Sequence, residues 1–230
     1  MVLQESAEII KAYHAFLNDK QFPCVGAKAA LAKHNIKCMV TGHMACPHED
    51  RSLLHFLYRF VNRYRKTQGL FHSAAILFSQ PVVTDEEMFD RLLWNKLQAL
   101  SDLDAAHYDY DHRVSKDPSD KNFSFSLKGE SFYIIGLHPA SSRLARRFQW
   151  PALVFNPHAQ FEKLRETKNY EKIKSVVRKR DIARCGSVNP MLDDFGESSE
   201  TVQYSGRVYD NQWKCPLNVK HGKINHHSTP

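Results

Sequence analysis

The chain lacks the segments that would place it in or across a membrane. No run approaches the roughly 20 apolar residues of a membrane-spanning helix. Residues 1–16 contain Glu5 and Glu8 and show no basic stretch followed by an apolar run, so their pattern is not that of a signal peptide. The five cysteines are scattered and odd in number, which fits reduced thiols better than a disulfide framework. We therefore expect a cytoplasmic protein with no membrane-bound part.

Several widespread catalytic and nucleotide-binding motifs are also missing. The sequence contains no G-x-x-x-x-G-K-[ST] loop, no G-x-G-x-x-G fingerprint, no G-x-S-x-G elbow and no H-E-x-x-H helix. Their absence argues against nucleotide-cofactor chemistry and against the commonest hydrolases. Residues 38–48 hold two cysteines and two histidines, but their spacing is not that of a zinc site, and we expect no metal there.

Charge is biased toward the positive sign without being concentrated. The 230 residues include 32 Lys and Arg against 25 Asp and Glu, a net charge of +7 that permits an anionic ligand or nucleic acid. The excess forms no tail or stripe apart from residues 172–184, and such a run is typical of a solvated helix face, with anion binding as the alternative. We therefore expect a globular protein without a nucleic-acid partner.

The hydrophobic pattern predicts helices and short strands in one domain. Helix-period stripes cover residues 5–18, 27–32, 51–66, 84–103 and 170–182, and strand-like runs cover 74–78, 123–127, 132–137 and 152–155. Thr84 and Glu87 predict a capping box. We predict an α+β or α/β fold over residues 1–230, with a small central mixed sheet flanked by helices. A long irregular C-terminal tail follows, and residues 221–230 are expected to fray.

The stretch from Ser131 to Arg165 concentrates the candidate chemistry. Two strand-like runs within it end in turns that place a histidine beside a proline, at His138-Pro139 and at Pro157-His158. Each turn precedes a segment with a helical pattern, so both histidines are expected at one edge of a sheet, above a shared crevice. A neutral imidazole there can ligate a metal or haem iron, or act as a general base. The alternative for each histidine alone is a hydrogen-bonded core residue.

Three arginines follow the first of these turns. The spacings of Arg143, Arg146 and Arg147 place them on one broad face of the predicted helix. Guanidinium groups bind carboxylates and phosphates, and Ser141, Ser142 and the free amides of the helix N-terminus would add donors. This arrangement predicts an anion site for haem propionates, a phosphate or a substrate carboxylate. The alternative is surface arginines paired with nearby acids.

Acidic residues and one cysteine complete the set of candidates. Asp193, Asp194, Glu197 and Glu200 cluster in the tail, where they could bind the positive end of a cationic substrate or simply hydrate a loop. Cys24 lies beside the start of a short helix, whose dipole could lower the pKa of the thiol. A buried structural cysteine is the alternative for that position.

Five segments resemble the YqcI/YcgG family: FPCVGAKAAL, GLHPASSRLARRF, LVFNPHAQFEKLR, NPMLDDFGESSE, and QYSGR with WKCP. Together they extend over residues 22–216, nearly the whole chain. The family includes haem-dependent N-hydroxylases of the guanitoxin-biosynthesis type. The resemblance therefore implies a haem b cofactor, O₂, an external electron donor and a small cationic amine or guanidino substrate.

The resemblance also implies roles for the candidate residues. His158, which lies among apolar residues, is the first choice as iron ligand, His138 the second and Cys24 the third. His138 and Arg143 would act in catalysis. The cofactor would contact Arg143, Arg146, Arg147, Cys24 and Phe161, and the substrate Asp193, Asp194 and Glu197. Two alternatives remain open: a haem-binding carrier or sensor without turnover, and an anion-binding module without a cofactor.

Overall fold

A mixed sheet forms the centre of the protein in a computed structural model, which describes residues 2–67, 69–167, 170–189, 191 and 196–221. The strand order is β1-β2-β5-β4-β3. β1 and β2 run parallel, and the other neighbouring pairs are antiparallel. The predicted mixed sheet is confirmed, and the fold is α+β. The strands are β1 (Ile36–His43), β2 (Ser73–Gln80), β3 (Phe125–Leu127), β4 (Glu130–Leu137) and β5 (Ala152–Pro157).

Helices cover both faces of this sheet. None of those in the described residues is long and apolar enough to cross a membrane. Two short 3₁₀ turns, Pro47–Glu49 and Leu144–Arg146, lie between the larger elements. The helices are α1 (Val2–Asn18), α2 (Val25–Ala32), α3 (Asp50–Thr67), α4 (Glu86–Ala105), α5 (His158–Arg165), α6 (Tyr170–Cys185) and α7 (Thr201–Tyr204).

The central strands are buried on both faces. Along β2, Ile76 and Phe78 belong to the core beneath α3 and α4, whereas Ala75 and Leu77 belong to the core beneath α1. Successive side chains of a strand point to opposite faces, so a strand covered on both sides is apolar at consecutive positions. This is why residues 74–78 show a continuous apolar run rather than an alternation.

The two histidine turns lie at opposite ends of the sheet. β4 and β5 pair antiparallel, with Phe132 opposite Pro157 and Leu137 opposite Ala152. Because His138 follows the end of β4 and His158 follows the end of β5, they are separated by roughly 17 Å of strand length. The prediction of one shared crevice for both histidines is therefore wrong.

The segment after His138 is a loop with one 3₁₀ turn, not the predicted helix. The loop closes on itself where the His138 amide donates to the Arg146 carbonyl at 3.1 Å. The amide and hydroxyl of Ser142 donate to Glu86 Oε1 at 2.8 and 2.7 Å. These donors are already bonded within the protein, so the predicted anion site at a helix N-terminus does not form.

Two further predictions of local structure need correction. α4 is capped by Asp85 rather than Thr84, because the Asp85 carboxylate accepts the Met88 amide at 2.7 Å. His221 is 3% exposed, so fraying is wrong for this residue, and residues 222–230 lie outside the described part. The irregular tail itself is confirmed, and it packs against Trp94 through Tyr204 and Trp213.

Candidate functional site

A cavity of about 400 Å³ lies against the α1 side of the sheet, a size within the usual range for small-molecule sites. Its walls come from all the strands except β3, from α1, α2, α5, α6 and α7, and from the 3₁₀ turn at Leu144–Arg146. Most of its surface is apolar, and polar groups are gathered at a few places. Apolar members of the wall include Tyr13, Leu17, Phe71, Ile135, Val154 and Val177.

His158 lies at the end of the cavity where β5 passes into α5. Its Nε2 is 3.5 Å from Glu200 Oε1, and its Nδ1 is 3.7 Å from Glu162 Oε1. Burial lowers the pKa of His158 to about 4, against the opposing effect of Glu162. The ring is therefore neutral at pH 7, the state in which imidazole ligates a metal or accepts a proton.

Glu200 places a buried carboxyl beside that histidine. It is 4% exposed and accepts a hydrogen bond from the Tyr204 hydroxyl at 3.1 Å. Burial raises the pKa of Glu200 to about 8, so the neutral carboxyl predominates at pH 7. The sequence pattern grouped Glu200 with the tail acids that could bind a cationic substrate or hydrate a loop, but Glu200 was not among the three residues assigned to the substrate. The four residues that follow it, Thr-Val-Gln-Tyr, are half polar, so the sequence itself does not indicate that Glu200 is buried.

The other tail acids have different positions. Asp193 and Asp194 lie outside the described residues. Glu197 is exposed and is not part of the cavity wall, whereas Ser198 is. Glu200 and Asp181 are therefore the cavity-lining acids found in the described residues.

Two of the three candidate arginines line the cavity, and each of them donates a hydrogen bond to another group of the protein. Arg143 Nη2 donates to Asp181 Oδ2 at 2.6 Å, so the predicted pairing with an acid applies to this residue. Arg146 Nη1 donates to the Tyr204 carbonyl at 3.0 Å, and burial lowers the pKa of its guanidinium. Arg147 is exposed, lies outside the cavity and donates from Nε to the Ser141 carbonyl at 2.8 Å. The prediction of one shared helix face for the three is wrong.

Cys24 and Phe161 also line the cavity. The Cys24 thiol caps α2 by accepting the Ala27 amide at 3.4 Å. Burial nevertheless raises the pKa of Cys24 more than this hydrogen bond lowers it, so the thiol stays protonated. The lowering considered for a helix N-terminus does not occur, and the alternative of a structural cysteine applies. Phe161 packs edge-to-face on Tyr133, with ring centroids 6.1 Å apart.

His138 lies away from the cavity. It is fully buried and stacks on Phe89 with ring centroids 4.2 Å apart. Among the described residues, neither of its ring nitrogens has a hydrogen-bond partner. Burial lowers the pKa of His138 to about 4. The second-choice iron ligand therefore occupies a core position at the opposite end of the strands.

The burial of His138 predicts a loss of stability in mild acid. Because its pKa is about 4 in the folded protein and near 6.5 when exposed, the unfolded chain binds a proton that the folded chain does not between these values. Protonation of His138 in the unfolded chain should therefore lower the free energy of unfolding by about 2 kcal/mol as the pH drops from 7 to 5. Urea denaturation of wild type and His138→Leu across this range should show a flatter pH dependence for the variant.

The exposed His107 provides the control for this experiment. His107→Leu should keep the wild-type pH dependence of unfolding. An identical pH dependence in His138→Leu and wild type would contradict the prediction.

In the described residues, no group of three or more His, Cys, Asp or Glu side chains is arranged to hold a metal ion.

Comparison with known proteins identifies the family. No curated protein and no solved structure was found to match. The family model described as YqcI/YcgG matches residues 13–218, a range that includes every residue of the cavity wall. On this match the chain belongs to the YqcI/YcgG family.

Proposed function

We propose that the cavity binds haem b and that the protein is a cytoplasmic haem-dependent monooxygenase. The proposed reaction is N-hydroxylation of a small amine or guanidino compound with O₂ and an external electron donor. One observation carries the proposal: a mostly apolar cavity of about 400 Å³ brings together His158, Arg143, Arg146 and Glu200. Each of these four residues is at most 8% exposed.

The donors in the cavity suit haem. A haem iron needs one or two protein ligands rather than a cluster, and neutral His158 would hold it. Arg143 and Arg146 would hold the propionates, since a guanidinium has five N–H donors and Arg143 Nη2 is engaged with Asp181 and the Ser187 carbonyl. The apolar wall suits a porphyrin face.

Haem in this site would supply the activation of O₂. The overall change is R–NH₂ + O₂ + 2 e⁻ + 2 H⁺ → R–NHOH + H₂O, so one oxygen atom enters the substrate and the other leaves as water. Because Asp181 is bound to Arg143, we assign the orientation of the substrate nitrogen to Glu200, whose carboxyl, mainly neutral at pH 7, would accept a hydrogen bond from the substrate N–H. Its position is supported by Tyr204, and the apolar wall keeps bulk water from the reacting atoms.

A haem titration tests the cofactor. Purified protein should bind one haem and develop a Soret band, because the cavity offers an imidazole ligand within apolar walls. Absence of stoichiometric haem would contradict both the monooxygenase and the haem carrier or sensor, and an anion-binding module without a cofactor would remain as the alternative. With haem bound, incubation with arginine or simpler amines, O₂ and a reductant should yield an N-hydroxy product. Binding without product from any of these would favour the carrier or sensor.

A further inference from the structure

The outer side of α6 and the neighbouring 3₁₀ turn combine exposed aliphatic and cationic side chains. Five large aliphatic residues are exposed in the described part of the chain, and three of them lie on these two elements. Leu144, Val176 and Ile182 are 41%, 46% and 49% exposed. We call this surface the docking face, and it consists of Leu144, Arg147, Lys172, Val176, Lys179 and Ile182.

The docking face lies directly behind the cavity wall. At 3.6 residues per turn, Lys172, Val176 and Lys179 share one side of α6. Lys174, Val177 and Asp181 lie on the opposite side and line the cavity. A molecule bound on the docking face would therefore be about one helix diameter, roughly 10–12 Å, from the cavity contents.

The charge of α6 favours an acidic partner. The helix contains six Lys or Arg residues and two acids, Glu171 and Asp181. Asp181 is buried against Arg143, so its charge is neutralised on the cavity side. Glu171 pairs with Lys174 at 3.5 Å, and on the solvent side Lys172 and Lys179 remain around the aliphatic side chains. An apolar centre with a charged rim is the usual anatomy of a protein–protein interface.

We propose that the docking face receives an acidic one-electron carrier protein, which delivers the electrons that the reaction consumes. The inference rests on the proposed function, which needs two electrons per O₂ and hence two encounters with such a carrier. Each encounter oxidises the carrier by one electron, and the two protons in the balance come from water. Complementary charge raises the rate of encounter, and small interfaces allow the carrier to leave after transfer.

Two measurements with an acidic [2Fe–2S] ferredoxin test this proposal. The first is calorimetric binding of the ferredoxin to the protein without haem. The second is the second-order rate of haem reduction by reduced ferredoxin, followed by stopped flow. Lys172→Glu/Lys179→Glu should lower the reduction rate about 10- to 100-fold at low salt and weaken binding, because attraction becomes repulsion. Reduction by dithionite should stay unchanged. Raising the salt concentration to 0.15 M should slow haem reduction by ferredoxin in the wild-type protein and reduce the difference in rate between wild type and variant.

A matched control places the same charge change on the other side of the sheet. Arg59 and Arg63 are exposed on α3, which packs on the face away from the cavity, and Arg59→Glu/Arg63→Glu should change the ferredoxin rate by less than threefold. Val176→Ser/Ile182→Ser tests the aliphatic part and should weaken binding without altering its salt dependence. The proposal would be overturned if the charge reversals on α3 and on α6 changed the ferredoxin rate equally. It would also be overturned if Lys172 and Lys179 bound RNA or anionic vesicles and the protein did not bind ferredoxin. Failure to bind haem would contradict the proposed function while leaving the calorimetric result to decide the docking face.

Discussion

Replacing Asp104 by alanine is expected to lower the free energy of unfolding by about 3–5 kcal/mol. Asp104 is fully buried in the last turn of α4. Its carboxylate accepts the Tyr58 hydroxyl at 2.6 Å and the Lys128 amide at 3.0 Å, and it lies 3.0 Å from His221 Nε2. Alanine would leave these three partners without their acceptor in a buried position, which is the costly way to remove a hydrogen bond. The change is measured by urea denaturation.

Two further variants test how much of this loss is due to the lost acceptor at position 104 and how much any acid on α4 contributes. Asp104→Asn keeps an acceptor oxygen in the same place and should lose only about 1–3 kcal/mol. Asp102, two residues earlier on α4, bonds Gln98 and Lys220 at the surface, so Asp102→Ala should change stability by less than about 1 kcal/mol. Similar losses in Asp104→Ala and Asp102→Ala would contradict this account. Limited proteolysis should also show release of the tail in Asp104→Ala, because His221 is attached to the same carboxylate.

Local pattern in the sequence predicted most of the elements that build this fold. Apolar periodicity located α1, α3, α4, β2 and β5 because each buries one face or both faces in the core. β1 was missed, since its residues were considered as a possible cysteine–histidine metal site rather than as a strand. Its burial is only partial, which weakens the apolar pattern on which strand prediction depends.

The error over the two histidines comes from strand direction, which depends on the connection between strands. Parallel neighbours need a crossover of a dozen or more residues that usually contains a helix. Residues 138–151 are long enough for one, but their donors are bonded within the loop and to Glu86, and no α-helix forms. The chain returns antiparallel, and His138 and His158 are separated. The position of Glu200 beside His158 was likewise beyond sequence reasoning, because only tertiary packing brings residues 42 positions apart together.

His158→Ala is expected to weaken haem binding by about 100-fold or more, since loss of a group that merely supports a metal ligand already costs 10- to 100-fold. The imidazole is neutral at pH 7 and lies in the cavity wall. Cys24 also lines the cavity, and because burial raises the pKa of its thiol, ligation through this sulfur would require the loss of a proton. Haem titrations and absorption spectra of wild type and variant measure the change.

Chemical rescue separates loss of a ligand from damage to the fold. His158→Ala leaves a space beside the cavity that exogenous imidazole can enter, so millimolar imidazole should restore the ligated spectrum. His138→Ala is the matched control, because it removes from outside the cavity a histidine that is also buried and has the same lowered pKa of about 4. It should lose stability but keep wild-type haem affinity and spectrum. Retained ligation in His158→Ala without imidazole would exclude His158 as the ligand, and a thiolate-type spectrum abolished by Cys24→Ser would transfer that role to Cys24.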